Sequence, residues 1–384
     1  MSTFECNVVK LGIQHHPDAD RLDIATIGGY RAIVGRDSFT DGDTAVYIPE
    51  DSIVPDWMLE KMGLVGKLAG SKHNRVKAMR LRGVFSQGLV YALENTGTDT
   101  YLLPVVEGTE HDDPLEVMYP VELGMDVKDI LGITKYEPVI PLHMAGEVLN
   151  IGDYGIHFDV ENIKKYPDVL QFGETIRITE KVHGTFMGVC IVPEKDANPE
   201  LLYGRIAVFS KGVGANGLGF KANEQNKDNL YLRAAIQHGI ADYLMANFAN
   251  EEDGVYIFGE VFGKGVQDLH YDTNAGVRVR VFDGARGHRG QLVFSRDVYA
   301  QAIDSGQLQE APVLYEGPYT PEIVIQHTNG KESVSGKATH VREGVVIRTI
   351  PERYTMELNP LGGRVMLKSV SEAYIDRKNA TEYQ

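Results

Sequence analysis

Ile178-Thr179-Glu180-Lys181-Val182-His183-Gly184-Thr185-Phe186-Met187-Gly188-Val189 is the stretch on which the reading of this chain turns. It begins inside TIRIT, Thr175 to Thr179, a β-branched strand pattern, and Lys181 stands where that strand gives out. A lysine at a strand-to-loop exit projects its amine into a pocket, while a neighbouring glycine lets the backbone approach a ligand closely. Lys181 is therefore the candidate nucleophile. A surface lysine beside a turn glycine has the same Lys-x-x-Gly spelling, so the segment needs support from the rest of the chain.

The 384 residues, 43% apolar and 24% charged, suffice for two domains with real cores. No apolar run approaches the roughly 20 residues that cross a bilayer, so no membrane partner is expected. The opening MSTFECNVVKLGIQHH has neither a basic start nor an apolar h-region, and Cys6 and Cys190 are the only cysteines. Both features suit a reducing, cytoplasmic setting.

Acids outnumber bases by 54 to 38, a net charge of −16 that argues against coating nucleic acid through bulk positive charge. Any such contact has to be local. The segment Lys61 to Arg82 supplies one, with seven bases and no acid. Within it Lys67, Lys72, Arg75, Lys77, Arg80 and Arg82 are the candidate RNA-binding residues; a solvated basic loop is the plain alternative. From Glu94 to Asp129 ten acids stand against the single base Lys128, so this stretch is expected to be exposed and repelled by phosphate.

Short strands divided by turn chemistry fill the first hundred residues, and no helix-period segment is evident there. ECNVVKLGI, RLDIATIGG, YRAIVGR and DTAVYIPE are the strand candidates, and their close spacing predicts a small OB-like barrel. The acidic run at Asp112-Asp113-Pro114, followed by Lys135-Tyr136-Glu137-Pro138 and Pro141, has the composition of a connector. The expected domains are 1–130, the barrel with its acidic connector, and 131–384. The second part mixes longer strands with helices, which is α+β. Its clearest helix is DNLYLRAAIQHGIADYLMANFA, with Leu232, Ala235, Ile236, Tyr243, Leu244 and Phe248 at helical spacing and Gly239 weakening its middle. VRVRV places Val277, Val279 and Val281 on one strand face.

An ordered series follows the lysine segment: Phe209-Ser210-Lys211-Gly212, Phe258-Gly259-Glu260-Val261-Phe262-Gly263, Val281-Phe282-Asp283-Gly284, Glu343-Gly344-Val345-Val346-Ile347-Arg348 and Leu367-Lys368-Ser369. Together these segments resemble the covalent nucleotidyltransferase superfamily of ATP-dependent polynucleotide ligases and capping enzymes. The resemblance spans residues 150 to 384. Lys-x-His-Gly-Thr is similar to RNA ligases more than to DNA ligases or capping enzymes. Only 16 residues follow Lys368, too few for the C-terminal OB domain of those two groups. His16-Pro17-Asp18-Ala19-Asp20-Arg21-Leu22, Met79-Arg80-Leu81-Arg82-Gly83-Val84-Phe85-Ser86-Gln87-Gly88, Tyr47-Ile48-Pro49-Glu50-Asp51-Ser52 and Asp159-Val160-Glu161-Asn162-Ile163-Lys164-Lys165-Tyr166-Pro167 resemble the Deinococcus-type RNA ligases, whose OB-like module comes first.

The chemistry can also be reasoned directly. Joining RNA ends requires an activated 5′-phosphate, and a lysine can carry AMP from ATP as a phosphoramidate. Attack requires a neutral amine, so Lys181 should have a depressed pKa, helped by a second cation such as Lys368 or by a metal. Charge on the phosphates calls for Mg²⁺ or Mn²⁺, with Glu343 the leading metal-proximal acid. Lys181, Glu343 and Lys368 are the candidate catalytic residues.

The resemblance implies that Glu260 contacts the ribose, Phe282 stacks on adenine, and Ser210 and Lys211 sit near the ribose or RNA phosphates. Glu180, Val182, His183 and Gly184 complete the nucleotide-binding set. For Phe282 a core position is the alternative, and for Asp283 an Asx turn. Three departures stand out: Lys211 where related enzymes have arginine, Met366-Leu367-Lys368 in place of Lys-x-Lys with Arg364 as a substitute, and Phe186 where some have asparagine. The expected enzyme is an ATP-dependent RNA ligase acting on nicks in duplexes, in RNA repair, with no obligate protein partner. A capping-type guanylyltransferase and a non-catalytic OB-fold RNA-binding protein are the rivals.

Overall fold

The computed structural model describes residues 4–107, 115–137, 146–156, 159–211, 218–272, 276–358 and 363–377. By packing, the chain falls into two compact units. One comprises Thr3–Glu137 and Glu161–Val169; the other comprises Pro138–Val160 and Leu170–Gln384. The connector residues Asp112, Asp113, Pro114, Pro138 and Pro141 lie outside the described residues.

The first unit is built from small antiparallel sheets. Val8–Lys10, Thr44–Ile48 and Leu89–Ala92 form one, and Gly12–His15, Leu22–Ile27 and Tyr30–Gly35 form another. ECNVVKLGI is thus two strands broken at Leu11. The alternation in these strands places Val8, Val46, Ile48 and Tyr91 in one apolar cluster and Ala25, Ile27, Ala32 and Val34 in a second. Two short helices, Asp56–Lys61 and Lys128–Leu131, interrupt the strands; the first buries Met58 and Leu59, and both are too brief to show in the sequence period.

The acidic stretch is not uniformly exposed. Thr100–Glu107 and Leu115–Glu122 pair as a hairpin whose Leu103, Val105 and Val121 enter the core. Strand alternation lets acids face water on one side while apolar groups are buried on the other.

Glu161–Val169 is a separate piece of chain that completes this unit. The amide of Gly29 donates to the Lys164 carbonyl at 2.8 Å, Lys164 Nζ donates to Gln87 Oε1, and Lys165 pairs with Glu5 at 3.0 Å. A Cβ on Gly29 would lie 2.7 Å from Lys164 Cα, so only glycine admits this approach.

The second unit is α+β. Its larger sheet runs Val148–Leu149, Leu218–Phe220, β3 (Ile206–Ser210), β2 (Thr185–Ile191), β4 (Gly254–Gly263), β5 (Val277–Gly287) and Val293–Phe294. On one face Met187, Val189, Ile257, Val261, Val279 and Val281 pack against α1 (Leu230–Gln237), α2 (Ile240–Phe248) and α3 (Asp297–Asp304). On the other, Cys190, Phe209, Tyr256, Phe258 and Ala285 form a separate cluster. Beside it β7 (Met366–Val370), β6 (Gly344–Thr349), β1 (Thr175–Lys181) and Val313–Pro318 lie side by side in that order.

The expected single helix from 228 to 249 is two helices. Gly239 takes a left-handed φ of 68°, which ends α1 and starts α2, and Asn229 caps α1 by accepting from the amides of Tyr231 and Leu232. The break turns Ile236 outward, where it is 41% exposed.

Gly188 of β2 faces the aromatic cluster, and a Cβ there would lie 2.2 Å from two ring carbons of the buried Phe209. Gly188→Ala is expected to cost about 1–3 kcal/mol through overpacking. Urea titration should show a lower midpoint, and an unchanged midpoint would mean the ring yields freely.

Candidate functional site

Two facing rows of side chains build the cavity. In the smaller sheet Thr179 pairs with Val346 and Val346 with Lys368, while Arg348 pairs with Met366. Period-two alternation then puts Thr179, Lys181, Val346, Arg348, Met366 and Lys368 on one face. In the larger sheet Phe186 lies opposite Glu260, and Glu260 opposite Arg280. With Asp159, His183, Lys211, Phe282, Glu343 and Tyr374 these residues line a cavity of about 300 Å³.

Lys181 is in register with Gly344, so Glu343, the residue before β6, arrives beside its amine. Lys181 Nζ donates to Glu343 Oε1 at 2.5 Å. Burial pushes the Glu343 carboxyl up, but the charge of Lys181 outweighs it and holds the pKa at about 2. For Lys181 burial works downward, yet Glu343 and then Glu260 prevail and its pKa is raised. This corrects the expectation of a depressed lysine. Lys368 borders the same cavity, but the carboxylates around Lys181 outweigh burial and keep it an ammonium. Glu260 is the converse case, since burial lifts it to about 8 against the pull of Lys181. At neutral pH it is a protonated carboxylic acid, able to donate as well as accept.

The turn after Lys181 is gripped by one loop, residues 264–272, which follows β4. Tyr271 Oη accepts the amide hydrogen of His183 at 2.6 Å, Gln267 Nε2 donates to the Gly184 carbonyl, and Asp268 Oδ1 lies 2.9 Å from His183 Nε2. A Cβ on Gly184 would lie 2.2 Å from the Val261 carbonyl oxygen, which explains the glycine. From α4 (Glu372–Ile375) Tyr374 Oη reaches His183 Nδ1 at 2.9 Å. Arg377 Nη1 lies 3.0 Å from Asp268 Oδ2.

A bulge positions Phe282. Opposite Phe258 and Gly259 the register of β5 slips by one residue between Asp283 and Val281. Val281 therefore belongs to the helix-side core and Ala285 to the opposite cluster. Phe282 borders the cavity, its ring 6.2 Å from that of Phe186, while the neighbouring Asp283 is buried and paired with Arg364.

The other sequence candidates divide. Val182, Lys211 and Lys368 border the cavity, Lys211 with its amine 2.7 Å from Asp159. Glu180 also borders it, but its carboxylate accepts from the Ser333 amide and hydroxyl at 2.8 and 2.6 Å, with Arg342 Nε 3.4 Å away. Ser210 is buried beside Tyr231 and does not line the cavity. Arg364, the stand-in for the missing lysine, does not reach it either. Its guanidinium bonds Asp283 and Glu352 and lies 4.4 Å from the Phe294 ring centroid. Sequence reading passed over Arg280, Arg348, Gln267, Asp268, Tyr271 and Tyr374.

In the other unit Lys67, Lys72, Arg80 and Arg82 are exposed and Lys77 is half-buried. Arg75 departs from the expected exposed run. It is 7% exposed, bonds Asp51 Oδ1 at 2.6 Å and lies 3.6 Å from the Tyr136 ring centroid, so it braces the unit.

The cavity thus lies between two antiparallel sheets of one unit. The chain belongs to the RNA ligase family, which matches residues 174–370, just over half of its length, and an OB-fold domain matches residues 7–93. No curated protein matches the chain in sequence. Among solved structures, Naegleria gruberi RNA ligase with PPi is similar to it with a TM-score of 0.72 at 20% identity, over 97% of this chain and 98% of that one. A mutant of that ligase with ATP and Mn gives 0.70 at 22%, and another with AMP and Mn gives 0.72 at 21%, each again over 97% and 98%. These likenesses establish the fold. Among the described residues no helix is long and apolar enough to cross a membrane.

The Glu260 shift has a measurable sign. Its pKa is raised from 4.5 to about 8, so its contribution to stability is full below 4.5 and is lost as pH rises through about 8. Glu260→Gln carries no such loss. Its thermal midpoint relative to wild type should climb between about pH 5 and about pH 9, and a flat difference would show that Glu260 ionises normally.

Proposed function

We propose that this chain is an ATP-dependent RNA ligase that carries AMP on Lys181 and seals nicks in RNA-containing duplexes. The observation that carries the reading is the Lys181 amine, held at 2.5 Å by Glu343 in a cavity that Phe282 and Lys368 also border. Naegleria RNA ligase, which shares the fold, has been solved with ATP, AMP and PPi, the nucleotides and leaving group this reaction requires.

The reaction has three steps. Lys181 Nζ gives up a proton to water and attacks the α-phosphorus of ATP; a P–N bond forms, the α–β P–O bond breaks and pyrophosphate leaves. An RNA 5′-phosphate oxygen then takes the AMP, breaking the P–N bond and regenerating the amine. Finally a 3′-hydroxyl attacks the adenylated 5′-phosphorus, losing its proton as the phosphodiester forms and AMP departs. Phe282 from one sheet and Val346 from the other offer apolar surfaces to the base. Protonated Glu260 can donate to a ribose hydroxyl, and Lys368 is placed to neutralise phosphate.

A divalent cation fits Glu343. Its Oε2 is buried and makes no hydrogen bond, and carboxylate oxygen suits Mg²⁺ or Mn²⁺. Among the described residues no cluster of three protein ligands exists, so water and phosphate oxygens would complete the shell. Such an ion supplies positive charge at the phosphates. The exposed Lys67, Lys72, Arg80 and Arg82 are the surface proposed to hold RNA through its backbone.

Denaturing electrophoresis after incubation with labelled ATP tests the core of this reading. Lys181→Ala should carry no label, and label joined through a P–N bond in that variant would sink the assignment. Phe282→Ala should weaken ATP use by roughly 5- to 150-fold, the worth of one stacked base, and recover at high ATP. An unaltered Phe282→Ala would return the ring to the core. For the RNA surface, the Lys72→Glu, Arg82→Glu double variant should form the lysyl adduct at the wild-type rate yet seal a nick poorly. Equal loss of both activities would remove that surface from RNA binding.

A further inference from the structure

Nothing in the lysine segment itself explains why His183 is held from both sides. Its ring is buried, with Nε2 2.9 Å from Asp268 Oδ1 and Nδ1 2.9 Å from Tyr374 Oη, and the Tyr374 ring stands edge-on at 5.3 Å. Nδ1 also lies 3.5 Å from Glu343 Oε2, the oxygen that makes no hydrogen bond. Asp268 is fixed in turn by Arg377, whose guanidinium lies 3.9 Å from the Tyr374 ring centroid. Three side chains from three distant segments thus converge on one imidazole.

We propose that Asp268 and Tyr374 are positioning residues for adenylation of Lys181, acting through His183, an inference that rests on the reaction proposed above. A carboxylate only accepts, so Asp268 draws the ring hydrogen to Nε2. Nδ1 is then an acceptor and takes the Tyr374 hydroxyl hydrogen. In this tautomer the ring cannot donate to Glu343, and Oε1 and Oε2 remain available to Lys181 and to a ligand. With the hydrogen on Nδ1 instead, the ring would present a donor 3.5 Å from Glu343 Oε2, competing for the oxygen that the cavity leaves open. The arrangement gives Asp268 and Tyr374 a hold on Glu343 although neither contacts the Lys181 amine.

The direct test is the tautomer. In protein labelled with ¹⁵N-histidine, long-range ¹H–¹⁵N correlation should show His183 as the Nε2–H form, assigned by loss of its signals in His183→Asn. Asp268→Asn should shift the ring toward Nδ1–H in a spectrum otherwise unchanged, which also reports that the variant folds. In single-turnover adenylation Asp268→Asn should lower the maximal rate by about 10- to 100-fold with the ATP concentration for half-maximal rate unaltered. Tyr374→Phe should lower it less. Asp268→Glu, which keeps the acceptor, should restore most of the rate. In the His183→Asn background Asp268→Asn should add no further loss, because its effect travels through the ring.

An Nδ1–H form in wild type overturns the proposal. So does a full additional loss from Asp268→Asn in the His183→Asn background, or a loss that resides wholly in ATP affinity. If wild type formed no lysyl adduct, the ligase reading would fall, and the spectrum would still decide the tautomer.

Discussion

An ammonium and a carboxylate 2.5 Å apart and largely out of water constrain everything around them. Withdrawing either charge from solvent is costly, and leaving one unpaired in a protein interior costs roughly 3–5 kcal/mol. The pair therefore fixes the register of β1 on β6, since a slip of one residue would turn Lys181 to the opposite face and part it from Glu343. It also sets the terms of the proposed reaction. Glu343, with Glu260 behind it, keeps Lys181 charged, so in the proposed reaction substrate has to redistribute charge around the pair before the amine can attack. Restraint of this kind suits an enzyme whose nucleophile should stay inert until the nucleotide is seated.

The bulge in β5 serves the same cavity from the other side. A regular strand would have sent Phe282 and Asp283 to opposite faces of the sheet. The extra residue lets the ring border the cavity while Asp283 anchors Arg364 and approaches Arg348 at 3.8 Å. Arg348 also donates to the Phe282 carbonyl at 3.0 Å, tying the aromatic ring of one sheet to the strand that follows Glu343 in the other.

What the sequence disclosed was chemistry that is local in the chain. The lysine, its glycine, the strand that carries them and the later segments in order are each spelled within a few residues, and they led to the α+β ligase fold with a β-sheet unit ahead of it. Contacts set only by folding stayed hidden. Asp268 and Tyr374 meet His183 across 85 and 191 positions, and neither stands in a recognisable segment. Arg75 and Arg364 looked like free cations because sequence shows a charge and not its partner. The depressed lysine failed for the same reason: adjacency of Glu343 to the amine is a fact of strand register. The helix at 230–248 was legible by period, whereas its break depended on whether Gly239 would adopt the left-handed conformation open to it.

The return of Glu161–Val169 to the first unit gives the chain an order of assembly. An amino-terminal unit made of one continuous piece can finish folding while the rest is still being synthesised. Here the edge at Gly28-Gly29 waits for Lys164, which is made only after residues 138–160, a segment that belongs to the other unit, have passed. At about 5–20 residues per second, translation from residue 137 to residue 169 takes roughly 2–6 s. Completion of the first unit therefore has to await synthesis of Lys164, beyond the continuous stretch that makes up most of it.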